Sequence, residues 1–131
     1  MLAHLNKEPG WHAAARLLSQ SRAAERPLLM CAVNVAEVRY RMWRKGGLPA
    51  AVAACDSIKS IGIALVPVDE DLAFAAADLK ADTPVAFADC FAAALARLND
   101  AEVATGDPEF RKFGDRVKVL WLGDPDGAGD S

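Results

Sequence analysis

The sequence predicts an α/β fold, a three-layer α/β/α arrangement around a mostly parallel sheet. Two observations predict it. Short, continuous apolar runs recur along the chain, LLMCAV at 28–33, IGIALVPV at 61–68 and VKVLWL at 117–122, in the manner of strands covered on both faces. Segments of helical period separate them, and alternation of strand and helix builds parallel sheets with helices on either side. The 131 residues suit one domain, expected over 1–123, with a Gly/Asp-rich tail at 124–131 expected to be disordered.

Each element has a local reason. Pro9 and Gly10 punctuate the start, and Trp11, Ala14, Ala15 and Leu18 share one side of a short helix to Gln20. After the strand at 28–33, Asn34 ends the apolar run and a helix runs from Val35 to the pair Gly46 and Gly47. Pro49 opens a second helix to about Lys59. Asp69, Glu70 and Asp71 supply an acidic first turn for a helix reaching about Lys80. Thr83 and Pro84 look like a cap and first residue for a helix to about Asn99, and EVAT at 102–105 gives a short strand.

Composition excludes several classes. Apolar residues make up 53% and charged residues 25%, and no run approaches the roughly 18 apolar residues of a membrane span. The N-terminus has no basic region followed by an apolar one, so a signal peptide is not expected and the cytoplasm is the expected compartment. Cys31, Cys55 and Cys90 are scattered without a CxxC, which suits free thiols, and His4 and His12 are too isolated for zinc. A net charge of −3 argues against a broad basic nucleic-acid surface. Local phosphate-facing patches remain open at Arg39, Arg41, Arg44 and Lys45, and at Arg111, Lys112, Arg116 and Lys118.

Three carboxylates stand at strand-to-helix junctions, where sites form in parallel sheets. Asp89 is the only charge in PVAFADCFAAALA, a segment apolar all round, with Phe87, Phe91, Ala94, Leu95 and Leu98 expected as its packing face. A buried carboxylate needs a cation, a partner or water, although a second-turn aspartate can also simply answer the helix dipole. Glu37, taken alone, reads first as the far half of a capping box, Asn34-x-x-Glu37, and otherwise as a site residue at the end of a buried strand. Asp107, in TGDPEF, is either a site residue or a turn and cap residue before Pro108, and Thr105 and Gly106 offer a hydroxyl and close backbone approach beside it. Glu109 reads as a first-turn acid in preference to a fourth site carboxylate. Carboxylates about 4 Å apart repel by roughly 4 kcal/mol at an effective dielectric near 20, so a converged cluster calls for protonation or a divalent cation. Donors without His or Cys favour Mg2+ or Mn2+.

In NVAEV with Glu37, FADCFAAALA with Asp89 and ATGDPEF with Asp107, taken in order and spacing, the chain resembles the PIN-domain ribonucleases, in particular the VapC-type toxins of toxin–antitoxin pairs. The resemblance covers nearly the whole chain, with LAHLNKEPG similar to the end of the family's first helix. It departs at the start, where the family's opening strand and its aspartate are absent, so the expected fold is PIN-like but lacking the first strand, as though the start were shortened. The resemblance implies a metal-dependent endoribonuclease in which Glu37, Asp89 and Asp107 bind Mg2+ or Mn2+ and Thr105 orients water or a ligand. It also implies an RNA substrate, a VapB-like antitoxin and a homodimer. The alternative is a PIN-like binding module that keeps its partner but does no chemistry. A phospho-accepting signalling domain of similar layout lacks its required strand-end aspartate and late lysine here.

Overall fold

The computed structural model describes residues 2–3 and 28–122. Five strands, β1 (Leu2–Ala3), β2 (Leu28–Cys31), β3 (Ile63–Val66), β4 (Val103–Thr105) and β5 (Val119–Trp121), pair in the order β3-β2-β1-β4-β5. Every ladder between them is parallel. Three helices, α1 (Ala32–Ser60), α2 (Glu70–Asp82) and α3 (Phe87–Leu98), and a 3-10 segment, Pro108–Arg116, complete the described residues.

The sheet corrects the expectation that the first strand is lacking. Leu2 pairs with Leu29 of β2 and with Val103 of β4, and Ala3 pairs with Ala104, so β1 lies at the centre. Two residues cannot display a period, which is why the opening of the chain carries no strand signal. His4 rather than an aspartate follows β1 in the sequence. His4, His12, the expected helix at 11–20 and the tail at 124–131 lie outside the described residues.

Side-chain alternation divides the core between the two faces of the sheet, as a three-layer fold requires. Leu28, Met30 and Ala104 point to one face, where Val38, Ala54 and Ile58 of α1 cover them. Leu29, Cys31, Val103, Val119 and Trp121 point to the other, against α2, α3 and the aromatic pair Phe110 and Phe113. The strands are shorter than the apolar runs that encode them. Residues 61–62 turn, with Gly62 at φ 91, before β3 begins at Ile63.

Helix ends depart from expectation in instructive ways. Asp69 is the N-cap of α2, its carboxylate accepting from the Leu72 backbone N–H at 2.9 Å, a contact worth about 1 kcal/mol. Thr83 does not cap the following helix. It ends α2, is 3% exposed, and its hydroxyl accepts from the Arg116 guanidinium at 2.5 Å, tying the loop before α3 to the 3-10 segment. α3 therefore begins later, after Ala86, and the face it buries is Cys90 and residues 92–96, while Phe87 and Leu98, expected inside, are about half exposed. α1 runs through both helices expected around the glycine pair, broken at Gly46 and Gly47, where Gly47 takes φ 76.

Gly106, by contrast, is required for space. A Cβ there would meet the Leu122 carbonyl oxygen at 2.6 Å, because Leu122 closes on the end of β4 by donating its N–H to the Thr105 carbonyl at 2.9 Å. Gly106→Ala is expected to cost about 1–3 kcal/mol, read as a lowered urea midpoint. An unchanged midpoint would mean that this closure contributes nothing.

Candidate active site

In a parallel sheet all carboxyl ends lie along one edge, and the segments leaving β2 and β4 flank the short central strand there. β2 passes directly into α1. Cys31 is the N-cap residue, extended at φ −65 and ψ 142 with no side-chain cap bond, so α1 starts three residues earlier than expected. Asn34 is thus inside the helix and not its cap, so Glu37 is not the far half of a capping box.

Asn34 instead reaches across to α3. Its Nδ2 donates to the Ala88 carbonyl at 2.9 Å, and the residue is 2% exposed. This bond ties the first turn of α1, one turn before Glu37, to the residue beside Asp89. Its Oδ1 is buried without a hydrogen-bond partner. An orphaned buried acceptor is uncommon and costs on the order of 1–3 kcal/mol, which marks the spot as one where a donor or cation fits.

Asp89 occupies the first turn of α3 at 6% exposure, where the helix dipole favours its charge. Glu37 is mostly covered too, and its carboxylate receives the Arg41 guanidinium at 3.3 Å. A hydrogen bond with the Tyr40 side chain, followed by the charges of Glu37 and Asp89, holds the Arg41 pKa above its ordinary value against some loss from burial. Arg41 therefore stands within the field of both acids.

The β4 side is built differently. Thr105 is fully buried, and its hydroxyl accepts from the Asp107 backbone N–H at 3.0 Å. The Asp107 carboxylate accepts from the Glu109 N–H at 3.0 Å and so caps the 3-10 segment, which begins with Pro108 as the cap reading of TGDPEF anticipates. Glu109 turns to the surface and pairs with Lys112 at 3.0 Å. The basic groups are likewise engaged, with Arg44 over the Tyr40 ring, Arg111 over Trp121, and Lys118 paired with Asp100.

Asn34 thus ties the start of α1, which carries Glu37, to the start of α3, which carries Asp89, while Thr105 and Asp107 stand at the end of β4 beyond β1. In kind, the donors fit a hard divalent cation: carboxylate and amide oxygens only, with one buried oxygen unpartnered. In number they do not yet make a metal cage, since among the described residues no three of His, Cys, Asp or Glu lie close enough to hold an ion. Asn34 and Arg41 sit beside the candidate acids in contacts that the sequence reading did not assign, since it placed Arg41 only in a basic patch and Asn34 only as a cap. Arg41 had a visible signal, its i,i+4 spacing from Glu37; Asn34 makes a contact 54 residues away that no local pattern encodes.

Residues 1–116 match the family model of the PIN domain. The chain belongs to the PIN-domain family. No curated protein matches it closely. Among solved structures, this PIN domain is similar to a chain of VapBC2 from Rickettsia felis bound to a promoter DNA fragment, at 12% identity and a TM-score of 0.69, covering 94% of this chain and 100% of that one. A chain of DNA-bound VapBC from Salmonella typhimurium gives 14% identity and a TM-score of 0.72, with 93% and 98% covered. VapC20 of Mycobacterium tuberculosis, a sarcin-ricin-loop-cleaving toxin, gives 19% identity and a TM-score of 0.56, with 77% and 84% covered. At these identities the likeness is one of fold.

Proposed function

We propose that this PIN domain is a metal-dependent endoribonuclease, the toxin of a toxin–antitoxin pair, hydrolysing RNA phosphodiester bonds. The observation that carries the reading is Asp89: a carboxylate sunk into an apolar helix, bonded by its turn to the helix bearing Glu37, at the edge of a parallel sheet where such folds bind ligands. The similarity to VapC20, a sarcin-ricin-loop-cleaving toxin, supports the choice of substrate class.

In this reading Glu37 and Asp89 hold Mg2+ or Mn2+, with Asp107 joining directly or through water once it leaves its cap. A bound divalent ion supplies positive charge that activates water and offsets charge on the phosphate oxygens. Asn34 keeps the two helix starts, and so the two carboxylates, at fixed separation. Thr105, held from below by the Asp107 N–H, sets the direction in which the Asp107 turn leaves β4 and presents a hydroxyl oxygen at the strand end.

The implied partner is a VapB-like antitoxin, since several similar chains were solved in VapBC complexes. Tyr40, Trp43, Leu48 and Val52, all 40–49% exposed along α1, offer apolar contact to such a protein, and Phe74 on α2 and Phe87 on α3 are further exposed apolar side chains open to it or to a second copy in the proposed homodimer. Three free cysteines agree with a reducing, cytoplasmic setting, and no helix of the described residues is long and apolar enough to cross a membrane. One observation favours the second reading, a binding module without chemistry: the absence of a three-member donor group among the described residues.

The deciding experiment is Mn2+-dependent cleavage of a structured RNA by the chain and by Glu37→Gln. The expected result is cleavage by the parent and a loss of roughly 100-fold in the variant, the scale on which removing one preorganised electrostatic group acts. Antitoxin capture with no cleavage by the parent would select the binding module instead.

A further inference from the structure

We propose that the exposed face of α1 between Arg39 and Arg44 is a track for single-stranded RNA, on which Tyr40 and Trp43 stack unpaired bases and Arg39 and Arg44 take phosphates; the choice of RNA as the polyanion rests on the nuclease reading above. Charge is the first support. The chain as a whole carries a net charge of −3, yet residues 32–55 hold Arg39, Arg41, Arg44 and Lys45 with Glu37 as their only acid. Glu37 and Arg41 pair with each other at 3.3 Å, so the segment keeps three cations beyond that pair. A local excess of this kind attracts a polyanion to one strip of an otherwise acidic molecule.

The second support is the aromatic pair set among those cations. Tyr40 and Trp43 are 47% and 49% exposed. Spaced three residues apart, with Arg44 four residues after Tyr40, they share one face of the helix. The Arg44 guanidinium lies 5.4 Å from the centroid of the Tyr40 ring, which holds a charge and an aromatic plane as one unit. Unpaired bases are held by stacking on aromatic rings and guanidinium planes while nearby cations meet the backbone. The helix dipole accounts for basic residues just before the break at Gly46, but it gives no reason for two half-exposed aromatic planes beside them. A purely apolar partner would want the reverse arrangement. The exposed aliphatic residues Leu48 and Val52 lie beyond the break, whereas the aromatics before it are interleaved with charge.

The strip also points at the candidate site. Glu37 and Arg44 are seven residues apart in helix unbroken before Gly46, so they lie two turns apart on the same side, about 10 Å along the axis at roughly 1.5 Å per residue. A strand whose backbone passes Glu37 can therefore continue over Tyr40 and Arg44 to Trp43.

The test measures fluorescence anisotropy of a fluorescein-labelled, mixed-sequence RNA strand of about 12 nucleotides, a length within the usual range of stacking platforms, and of the same strand annealed to its complement. Binding is read in EDTA over a range of salt concentrations for the full 131-residue chain, Trp43→Ala and Arg44→Gln, and cleavage is assayed separately in Mn2+. The parent is expected to prefer the single strand to the duplex, and Trp43→Ala to bind the single strand roughly tenfold more weakly. Arg44→Gln is expected to lower the slope of log affinity against log salt by about 0.7, the share of one phosphate contact on a single strand. Equal single-strand binding by Trp43→Ala, an unchanged slope in Arg44→Gln, or no RNA bound by the parent each overturns the track. If Trp43→Ala does not fold, the Arg44→Gln slope decides. Loss of antitoxin capture by Trp43→Ala with RNA binding unchanged assigns the strip to the protein partner and likewise overturns the proposal. The nuclease reading fails separately: the expected binding pattern with no cleavage by the parent leaves the track standing and removes the chemistry, while cleavage by the parent with binding unaffected in both variants does the opposite.

Discussion

Asp89→Asn is expected to abolish RNA cleavage, by about 1000-fold or beyond measurement, while leaving the fold intact. The substitution preserves shape and removes only the charge. At 6% exposure this carboxylate is costly to the folded state, and replacing a buried charge with a neutral group of equal size is often neutral or mildly stabilising. A transition state in phosphoryl transfer depends almost entirely on positioning and charge, so the same exchange removes the feature that the chemistry needs. Melting temperature and cleavage should move independently: an unchanged or slightly higher Tm beside lost activity. Asp89→Asn that still cuts RNA at the parent rate would end the nuclease reading. A large fall in Tm would instead assign Asp89 a structural partnership.

The second large effect concerns stability. Phe110→Ala should cost about 3–5 kcal/mol, a sizeable share of the roughly 5–15 kcal/mol by which a domain is stable. Phe110 and Phe113 are each 1% exposed, with ring centroids 5.5 Å apart, and together they fill the space between the 3-10 segment and α2 and α3. The short segment has no other buried residues with which to hold its place. Since Asp107 caps this segment, the variant should also loosen that acid. Denaturant unfolding gives the measurement, and a loss under about 1 kcal/mol would show that the aromatic pair is not the anchor it looks to be.

Much of this architecture was legible in the chain. Continuous apolar runs marked β2, β3 and β5, but of these only β2 is covered on both faces: at the sheet edges β3 exposes Ala64 and Leu65 and β5 is half-buried throughout. The lone charge in PVAFADCFAAALA pointed to Asp89, because an all-apolar helix tolerates a carboxylate only for a reason. What could not be read depended on distance along the chain. β1 is a strand only because β2 and β4 lie on either side of it. Thr83 carries an ordinary capping signature, but Arg116 takes its hydroxyl and the helix waits until Phe87. Asn34 likewise has the look of a cap, and its amide goes instead to Ala88. Thr83 and Asn34 each exchanged a local hydrogen bond for one reaching 33 and 54 residues away, a choice that the tertiary fold makes and neighbouring residues do not reveal.

Among the described residues, β2 with β3 on one side and β4 with β5 on the other meet through three pairings made by Leu2 and Ala3 of β1, while α3 lies across the seam. Glu37 travels with the first half, Thr105 and Asp107 with the second, and Asp89 with the helix that spans them. A partial opening along this seam would disperse the site while leaving each half largely hydrogen-bonded. Amide exchange at Leu29, Val103 and Ala104 should therefore report a sub-global opening that is cheaper than complete unfolding, and activity should fade with that opening before the protein denatures.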